Sequence, residues 1–340
     1  IIIMATRFIL ALHLTSAAAA YTPPGVLASI VDAKRAEVER MSKLPENRED
    51  GPWFLRLAYP SSSASYAVGR AIGWKREAPV VFADVKRASP AGKGNIGSTV
   101  SIDPRLDVES ALADAAKWNC AGAFVASDIE SYGCSYRDLK AACTFARARA
   151  PPGAADDDER VLPIVAKDLI IDPLQISRAA CEGAKAVLLI AAACLPDLPA
   201  LLDTCTLLGV EAVVEVHTPD ELTVASECGA SLILVNERDR ATGELVVGQA
   251  AAMAPLLPPD CQCLAGGGIS RIDQVRTLRR AGYDGFVLGR ALFGGDPNDA
   301  DALMTAIFEE PKLQRVSEPI SVPKRSSSKR YEDDPTWEKL

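Results

Sequence analysis

Residues 260–289 read DCQCLAGGGISRIDQVRTLRRAGYDGFVLG. Two short apolar runs, 260–265 and 284–289, flank a glycine cluster and a segment of a different period. Within that segment Ile272, Val275, Leu278 and Ala281 recur every three residues, which keeps them near one face of a helix over Ser270–Gly282. The stretch therefore predicts strand, glycine turn, helix, strand. Two strands joined through a helix in this way are parallel neighbours, because a parallel pair needs a long crossover.

The same unit repeats toward the N-terminus. Strand-like runs occur at 79–86 (PVVFADVK), 121–126 (AGAFVA), 162–167 (LPIVAK), 185–191 (KAVLLIA), 211–216 (EAVVEV) and 231–236 (SLILVN). Amphipathic segments at Asp103–Trp118, Ser135–Ala148, Asp172–Gly183 and Thr218–Cys228 lie between them. Eight strand-then-helix units over about 230 residues predict an α/β fold, a (β/α)8 TIM barrel, rather than a doubly wound sheet. The segment Val26–Leu44 predicts an extra N-terminal helix. The stretch Gly92-Lys93-Gly94-Asn95-Ile96-Gly97 matches Gly-x-Gly-x-x-Gly in letters. It starts well past the first strand and opens no helix, so a flexible loop is the expectation and not a dinucleotide site.

Composition narrows the function. The 340 residues are 48% hydrophobic and 24% charged, as in a globular protein. A net charge of −8 argues against nucleic-acid binding, which rests on clustered cations. The compact basic run 324–330 lies in a Pro-, Ser- and charge-rich tail and reads as solvated. Nine cysteines, none in zinc-type pairs, read as small buried residues of a reduced protein, with Cys261 and Cys263 placed on one strand. With His13 and His217 the only histidines, neither a His-rich metal centre nor a Ser-His-Asp triad is expected.

The ends are expected to differ from the barrel. Residues 1–24 carry one cation, a short apolar run and small residues, the pattern of a removable targeting leader. The apolar run is too short to span a bilayer as a helix. A leader alongside reduced cysteines points to an organelle, a plastid, with the cytoplasm as the other expectation. Residues 25–310 are expected to form the barrel, and 311–340 a disordered tail.

In a barrel of this kind chemistry collects at the C-terminal ends of the strands. The first strand ends in Asp84 and Lys86, the third in Lys167-Asp168, the fifth in Glu215, and the sixth in Asn236 with Arg238 beyond. Charges converging on one mouth are costly unless they pair or bind a ligand. The seventh and eighth strands end instead in Gly266-Gly267-Gly268 and Gly289-Arg290. Bare backbone at those two places suits a phosphate, and Arg290 adds charge.

Four stretches carry a family resemblance: Asp84-Val-Lys86-Arg-Ala-Ser89-Pro90, Lys167-Asp168-Leu-Ile-Ile-Asp172-Pro173-Leu-Gln175-Ile176, Val214-Glu215-Val216-His217 and Val235-Asn236-Glu-Arg238. From about Val26 to Phe293 the chain resembles indole-3-glycerol-phosphate synthase, a carboxy-lyase of tryptophan biosynthesis. The resemblance implies a mobile loop after the first strand. It also implies ring closure of 1-(2-carboxyphenylamino)-1-deoxyribulose 5-phosphate, followed by loss of carbon dioxide and water. By the same resemblance Lys167 is the general acid, Glu215 serves the dehydration, Lys86 and Arg238 hold charged groups, and Asn236 orients a hydroxyl. Ser89, Gly268 and Gly289 surround the phosphate, with Gly267 and Arg290 added as binding residues by the strand-end reading above, while Tyr132 and Leu188 line the aromatic pocket. No metal and no organic cofactor is implied. The expected ligand is a phosphorylated small molecule, with no nucleic acid and no membrane for the mature form. Association with other tryptophan-pathway enzymes stays an open expectation.

Several positions depart from that family pattern. Asp84 stands for the usual Glu, Leu169 for an aromatic, and Arg240 for an apolar residue. Gly266-Gly267 stands for Glu-Ser, and Arg290 for Ser or Glu. The glycine cluster and Gly289-Arg290 resemble related sugar-phosphate isomerase and epimerase barrels. A phosphate-binding pseudoenzyme and a divergent isomerase therefore stand as alternatives. His217 reads as structural.

Overall fold

Strict alternation of side chains decides which residues meet. In the first strand Val80 and Phe82 belong to one apolar cluster and Val81, Ala83 and Val85 to another, as a period of two requires. The first set fills the inside of a closed barrel and the second packs under the surrounding helices. The computed structural model describes residues 23–25, 27–60, 66–73, 79–90, 99–153, 161–240 and 242–309.

The strands are β1 (Val80–Val85), β2 (Ala88–Pro90), β3 (Thr99–Ser101), β4 (Gly122–Ala126), β5 (Ile164–Lys167), β6 (Ala186–Ile190), β7 (Glu211–Val216), β8 (Leu232–Asn236), β9 (Gln262–Gly266) and β10 (Gly285–Leu288). β1 and β4 to β10 close the barrel in sequence order, each pair parallel, with β10 returning to β1 through Val80↔Gly285. The eight expected strands are thus all present: the fifth barrel strand keeps its expected bounds, the seventh starts two residues late and ends one residue later at Gly266, and the others are shorter by a residue or two. β2 and β3 pair antiparallel as a small ribbon beyond the first strand, a feature the apolar pattern did not announce. Cys261 falls just before β9 and only Cys263 lies on it, and all nine cysteines are free thiols.

Helices coat the barrel. Four begin with a side-chain oxygen on a free backbone N–H: Asp107 on Ser110, Asp128 on Ser131, Asp172 on Leu174 and Thr218 on Glu221. Such caps satisfy donors that a helix start leaves unpaired. The extra N-terminal helix runs Leu27–Ser42 and buries Leu27, Val31, Lys34 and Met41. Leu27 and Val31 join the barrel-interior cluster along with Val68 and Ile72. The last described helix is Pro297–Glu309. The leader expectation (almost all of it), the Gly92–Gly97 match and the tail expectation lie outside the described residues.

Candidate active site

Counting barrel strands from β1, the odd members are β1, β5, β7 and β9. Their last inward-facing positions are Asp84, Lys167, Glu215 and Gly266. Barrel interiors are filled in layers drawn from alternate strands, so these four make the uppermost layer. Three are charged and the fourth has no side chain. A cavity of about 360 Å³ opens above the layer, with Asp84, Lys167 and Gly266 in its lining.

One carboxylate and two ammonium groups form the centre. Lys167 Nζ lies 2.9 Å from Asp84 Oδ1, and Lys86 donates to Asp84 Oδ2. Burial favours the neutral form of Asp84, but Lys167 and then Lys86 overcome it and hold its pKa at about 2. For Lys86 burial prevails over the attraction of Asp84, helped by repulsion from Lys167, and lowers it to about 8. Lys167 is also buried, which lowers its pKa, yet Asp84, Tyr132 and Glu215 together outweigh that and raise it. Its ammonium sits 5.6 Å from the centre of the Tyr132 ring, a favourable cation–π placement. Tyr132 comes from the short helix Ile129–Tyr132, which Asp128 caps through Ser131.

Glu215 is fully buried and is covered from the cavity side by Arg240. Arg240 Nε and Nη2 lie 2.7 and 2.5 Å from Glu215 Oε1, and Nη1 is 3.3 Å from the Tyr132 hydroxyl. His217 Nε2 approaches the same Oε1 at 3.1 Å, while its Nδ1 meets Glu221 Oε2 at 3.1 Å. Burial opposes ionisation of Glu215, but Arg240 and then His217 hold its carboxyl well below the usual range. His217, between two carboxylates, has its pKa raised in spite of burial. The structural reading of His217 thus becomes specific: it ties the fifth-strand carboxylate to the helix that follows.

The opposite side of the cavity is nearly all backbone. Gly267 and Gly268 have φ of +84° and +77°, a conformation in which side chains are strained. A Cβ at Gly267 would stand 2.2 Å from Asn236 Oδ1, so glycine there allows Asn236 its observed place. Asn236 Oδ1 accepts from Arg238 N at 3.0 Å, and Arg238 Nη1 donates to Gly243 O at 2.8 Å. Arg238 therefore braces the tight turn that β8 enters, while still lining the cavity. Ser89, Gly289 and Arg290 complete the wall.

Of the residues expected from sequence, Asp84, Lys86, Ser89, Tyr132, Lys167, Asn236, Arg238, Gly267, Gly268, Gly289 and Arg290 line one cavity. Glu215 lies directly behind Arg240. Leu188 is not among the residues that line the cavity: β6 turns it into the barrel interior with Phe82, Phe124 and Leu234. Leu169 is likewise buried in that cluster. Arg240 was visible as a departure, yet its partner was not. No sequence signal pointed to that partner, because β8 ends at Asn236 and the chain turns before Arg240.

The comparisons with known proteins agree with this geometry. The family model described as Indole-3-glycerol phosphate synthase matches residues 27–303. An indole-3-glycerol phosphate synthase of Mycolicibacterium gilvum is 36% identical over 234 residues, covering 66% of this chain and 76% of that one. One from Rhodococcus jostii is 32% identical over 297 residues, covering 86% and 99%. A third, from Roseiflexus sp., is 34% identical over 274 residues, covering 78% and 93%. With the family model matching residues 27–303 of the chain and a relative covered almost end to end, this chain belongs to the indole-3-glycerol phosphate synthase family.

Proposed function

We propose that the chain closes the five-membered ring of 1-(2-carboxyphenylamino)-1-deoxyribulose 5-phosphate and then expels carbon dioxide and water, giving indole-3-glycerol phosphate. The observation that carries this reading is the buried Lys167–Asp84–Lys86 cluster facing a glycine-lined corner across one cavity. The substrate carries a carboxylate at one end and a phosphate at the other. The cavity wall carries Lys86, Lys167, Arg238, Arg240 and Arg290 against the single carboxylate Asp84, an excess of positive charge that suits a molecule with an anionic group at each end.

Roles follow from position. Lys167 protonates the ketone oxygen as the aromatic carbon attacks, and later the departing hydroxyl. Asp84 orients both ammonium groups, and Lys86 holds the aryl carboxylate. Asn236 orients a hydroxyl beside the glycine corner. The open backbone at Gly267, Gly268 and Gly289, with Ser89 and Arg290, receives the phosphate. Tyr132 packs on the aromatic side. The deciding experiment supplies the purified chain with the carboxyphenylamino substrate and follows indole fluorescence. Turnover supports the lyase. The sealed position of Glu215 favours one second reading, a ligand-binding protein, and tight binding without any product would establish it.

Two outcomes test the cluster. Asp84→Glu is expected to keep or raise turnover, because it restores the length usual in the family. Asp84→Ala leaves two buried ammonium groups without their partner and should cost roughly 10²-fold in kcat, the scale of a misplaced catalytic group. If Glu abolishes turnover and Ala is harmless, the site is built for an isomerase substrate instead. The second outcome concerns pH. A lysine with a pKa of about 8 is cationic below that value and neutral above it. Consequently kcat/KM, which reports the free enzyme, should fall as pH rises through about 8. Lys86→Arg should remove that limb, since its guanidinium stays charged.

A further inference from the structure

Among the described residues five cations line the cavity. Lys167 and Lys86 flank Asp84, while Arg238 and Arg290 stand beside the glycine corner. Arg240 is the fifth. It lies in the turn after β8, and an apolar residue is usual at this position in the family. Its partner Glu215 is fully buried and outside the lining, whereas Arg240 is part of it. The pair therefore presents one ion to the ligand space, the guanidinium.

A guanidinium carries five N–H groups in one plane. Nε and Nη2, on the side edge, lie 2.7 and 2.5 Å from Glu215 Oε1. His217 Nε2 holds the same oxygen at 3.1 Å, and Glu221 holds the far nitrogen of that ring. The carboxylate is thus fixed from behind and fixes the arginine in turn. The end edge, formed by Nη1 and Nη2, is a parallel pair of donors of the kind that takes a carboxylate bidentately. Nη1 also reaches the Tyr132 hydroxyl at 3.3 Å, which places this edge at the aromatic side of the cavity. A phenol that accepts there still has its own proton to donate. Burial, against the pull of Arg240 and Lys167, raises the Tyr132 pKa and keeps that proton in place. Arg240 also repels both Lys86 and Lys167, and an anion among the three relieves that repulsion.

We infer that Arg240 is a specificity residue: its end edge and the Tyr132 hydroxyl hold the ring carboxylate of the substrate together with Lys86, and Glu215 fixes that arginine in place. The inference rests on the ring-closing reaction proposed above for the identity of the ligand. The class it selects is an aromatic amine with a carboxylate beside the nitrogen. That carboxylate leaves as carbon dioxide, so the contact binds the substrate before this step and is not strengthened by it.

The test uses the full chain and two unreactive alcohols obtained by reducing the ketone. One is 1-(2-carboxyphenylamino)-1-deoxyribitol 5-phosphate, and the other, the 1-phenylamino compound, lacks only the ring carboxylate. Calorimetry gives Kd for each. Arg240→Leu is expected to weaken the carboxylated alcohol about tenfold to hundredfold, the scale of a hydrogen-bonded charge pair. The phenylamino alcohol should change by less than about threefold, within which a lost ring-carboxylate contact has no part. Arg240→Lys keeps a cation against Glu215 and loses the forked edge, so it serves if the leucine variant fails to fold. It should show a smaller loss, again confined to the carboxylated alcohol. In turnover Arg240→Leu should raise KM by about tenfold or more while kcat holds or rises, as expected for binding that the transition state does not improve. Equal loss for both alcohols would overturn the inference, because an ion pair that only supports the fold does not sense the ring carboxylate. Unchanged binding of the carboxylated alcohol would overturn it too, as would a fall in kcat at constant KM. If the unmodified chain binds the carboxylated alcohol but forms no product, the ring-closing reaction fails while the comparison of alcohols still decides on Arg240. Binding of neither alcohol would overturn both.

Discussion

Replacing Lys167 with Met is expected to lower kcat by about 10²–10⁴-fold while KM changes far less. The expectation follows from where the ammonium sits. β5 carries it inward on its last residue, and Asp84 Oδ1 holds it at 2.9 Å against the cavity. A group that protonates the ketone oxygen acts as charge develops there, so its loss falls mainly on the transition state. Methionine keeps much of the length and the apolar stem, which isolates the proton from the packing. The fold should survive, because the variant leaves Asp84 paired to Lys86. Single-turnover rates measured with saturating substrate separate chemistry from product release. Near-normal kcat would remove Lys167 from the acid role and shift it to Lys86, whose lower pKa makes it the easier donor.

The barrel was legible because its signal is repeated. Each inward Asp84, Lys167 and Glu215 interrupts an alternation that is otherwise apolar, and the interruption recurs at the same end of the first, third and fifth barrel strands. A period-two pattern also fixes which face those residues occupy, so their convergence followed from sequence once a barrel was assumed. Leu188 was misplaced for the same reason. It obeys the inward period, but the period does not give depth: Leu234 stands equally far from its strand's end and lines the cavity, whereas Leu188 does not. The pairing of Arg240 with Glu215 could not be read, because a turn spans the gap between Asn236 and Arg240 and no period runs through a turn. Nor could the β2–β3 ribbon, since its strands are only three residues each.

Lys34 was missed altogether, although its position was unusual. It takes a place on the apolar face that Leu27, Val31 and Met41 define on the N-terminal helix. Its ammonium is 2.9 Å from Asp128 Oδ1, 2.8 Å from Asp168 Oδ1 and 2.7 Å from Glu37 Oε2. Asp128 caps the helix bearing Tyr132, and Asp168 follows Lys167 directly, so one buried cation from outside the eightfold pattern joins both catalytic loops. Lys34→Met should therefore destabilise the fold by about 3–5 kcal/mol at neutral pH, the usual cost of stranding buried charge. In urea the midpoint should fall with little change of slope.

The pH dependence distinguishes charge from packing in that variant. Burial raises the Asp128 pKa, but Lys34 overcomes it and leaves the carboxyl below its ordinary value. A depressed folded pKa contributes stability above the unfolded value, about 3.9, and loses it as pH falls through the folded value. Without Lys34 the Ser131 cap is left against burial and the neighbouring Asp168 carboxylate, and the stranded Asp128 can relieve itself by taking a proton. The stability gap between the wild-type chain and Lys34→Met should then narrow as pH is lowered from 7 toward 4. Asp168→Asn introduced into Lys34→Met should recover part of the loss, because it removes one stranded charge. A gap that stays constant with pH, and is untouched by the asparagine, would mean that the lysine stem and not its charge holds the N-terminal helix in place.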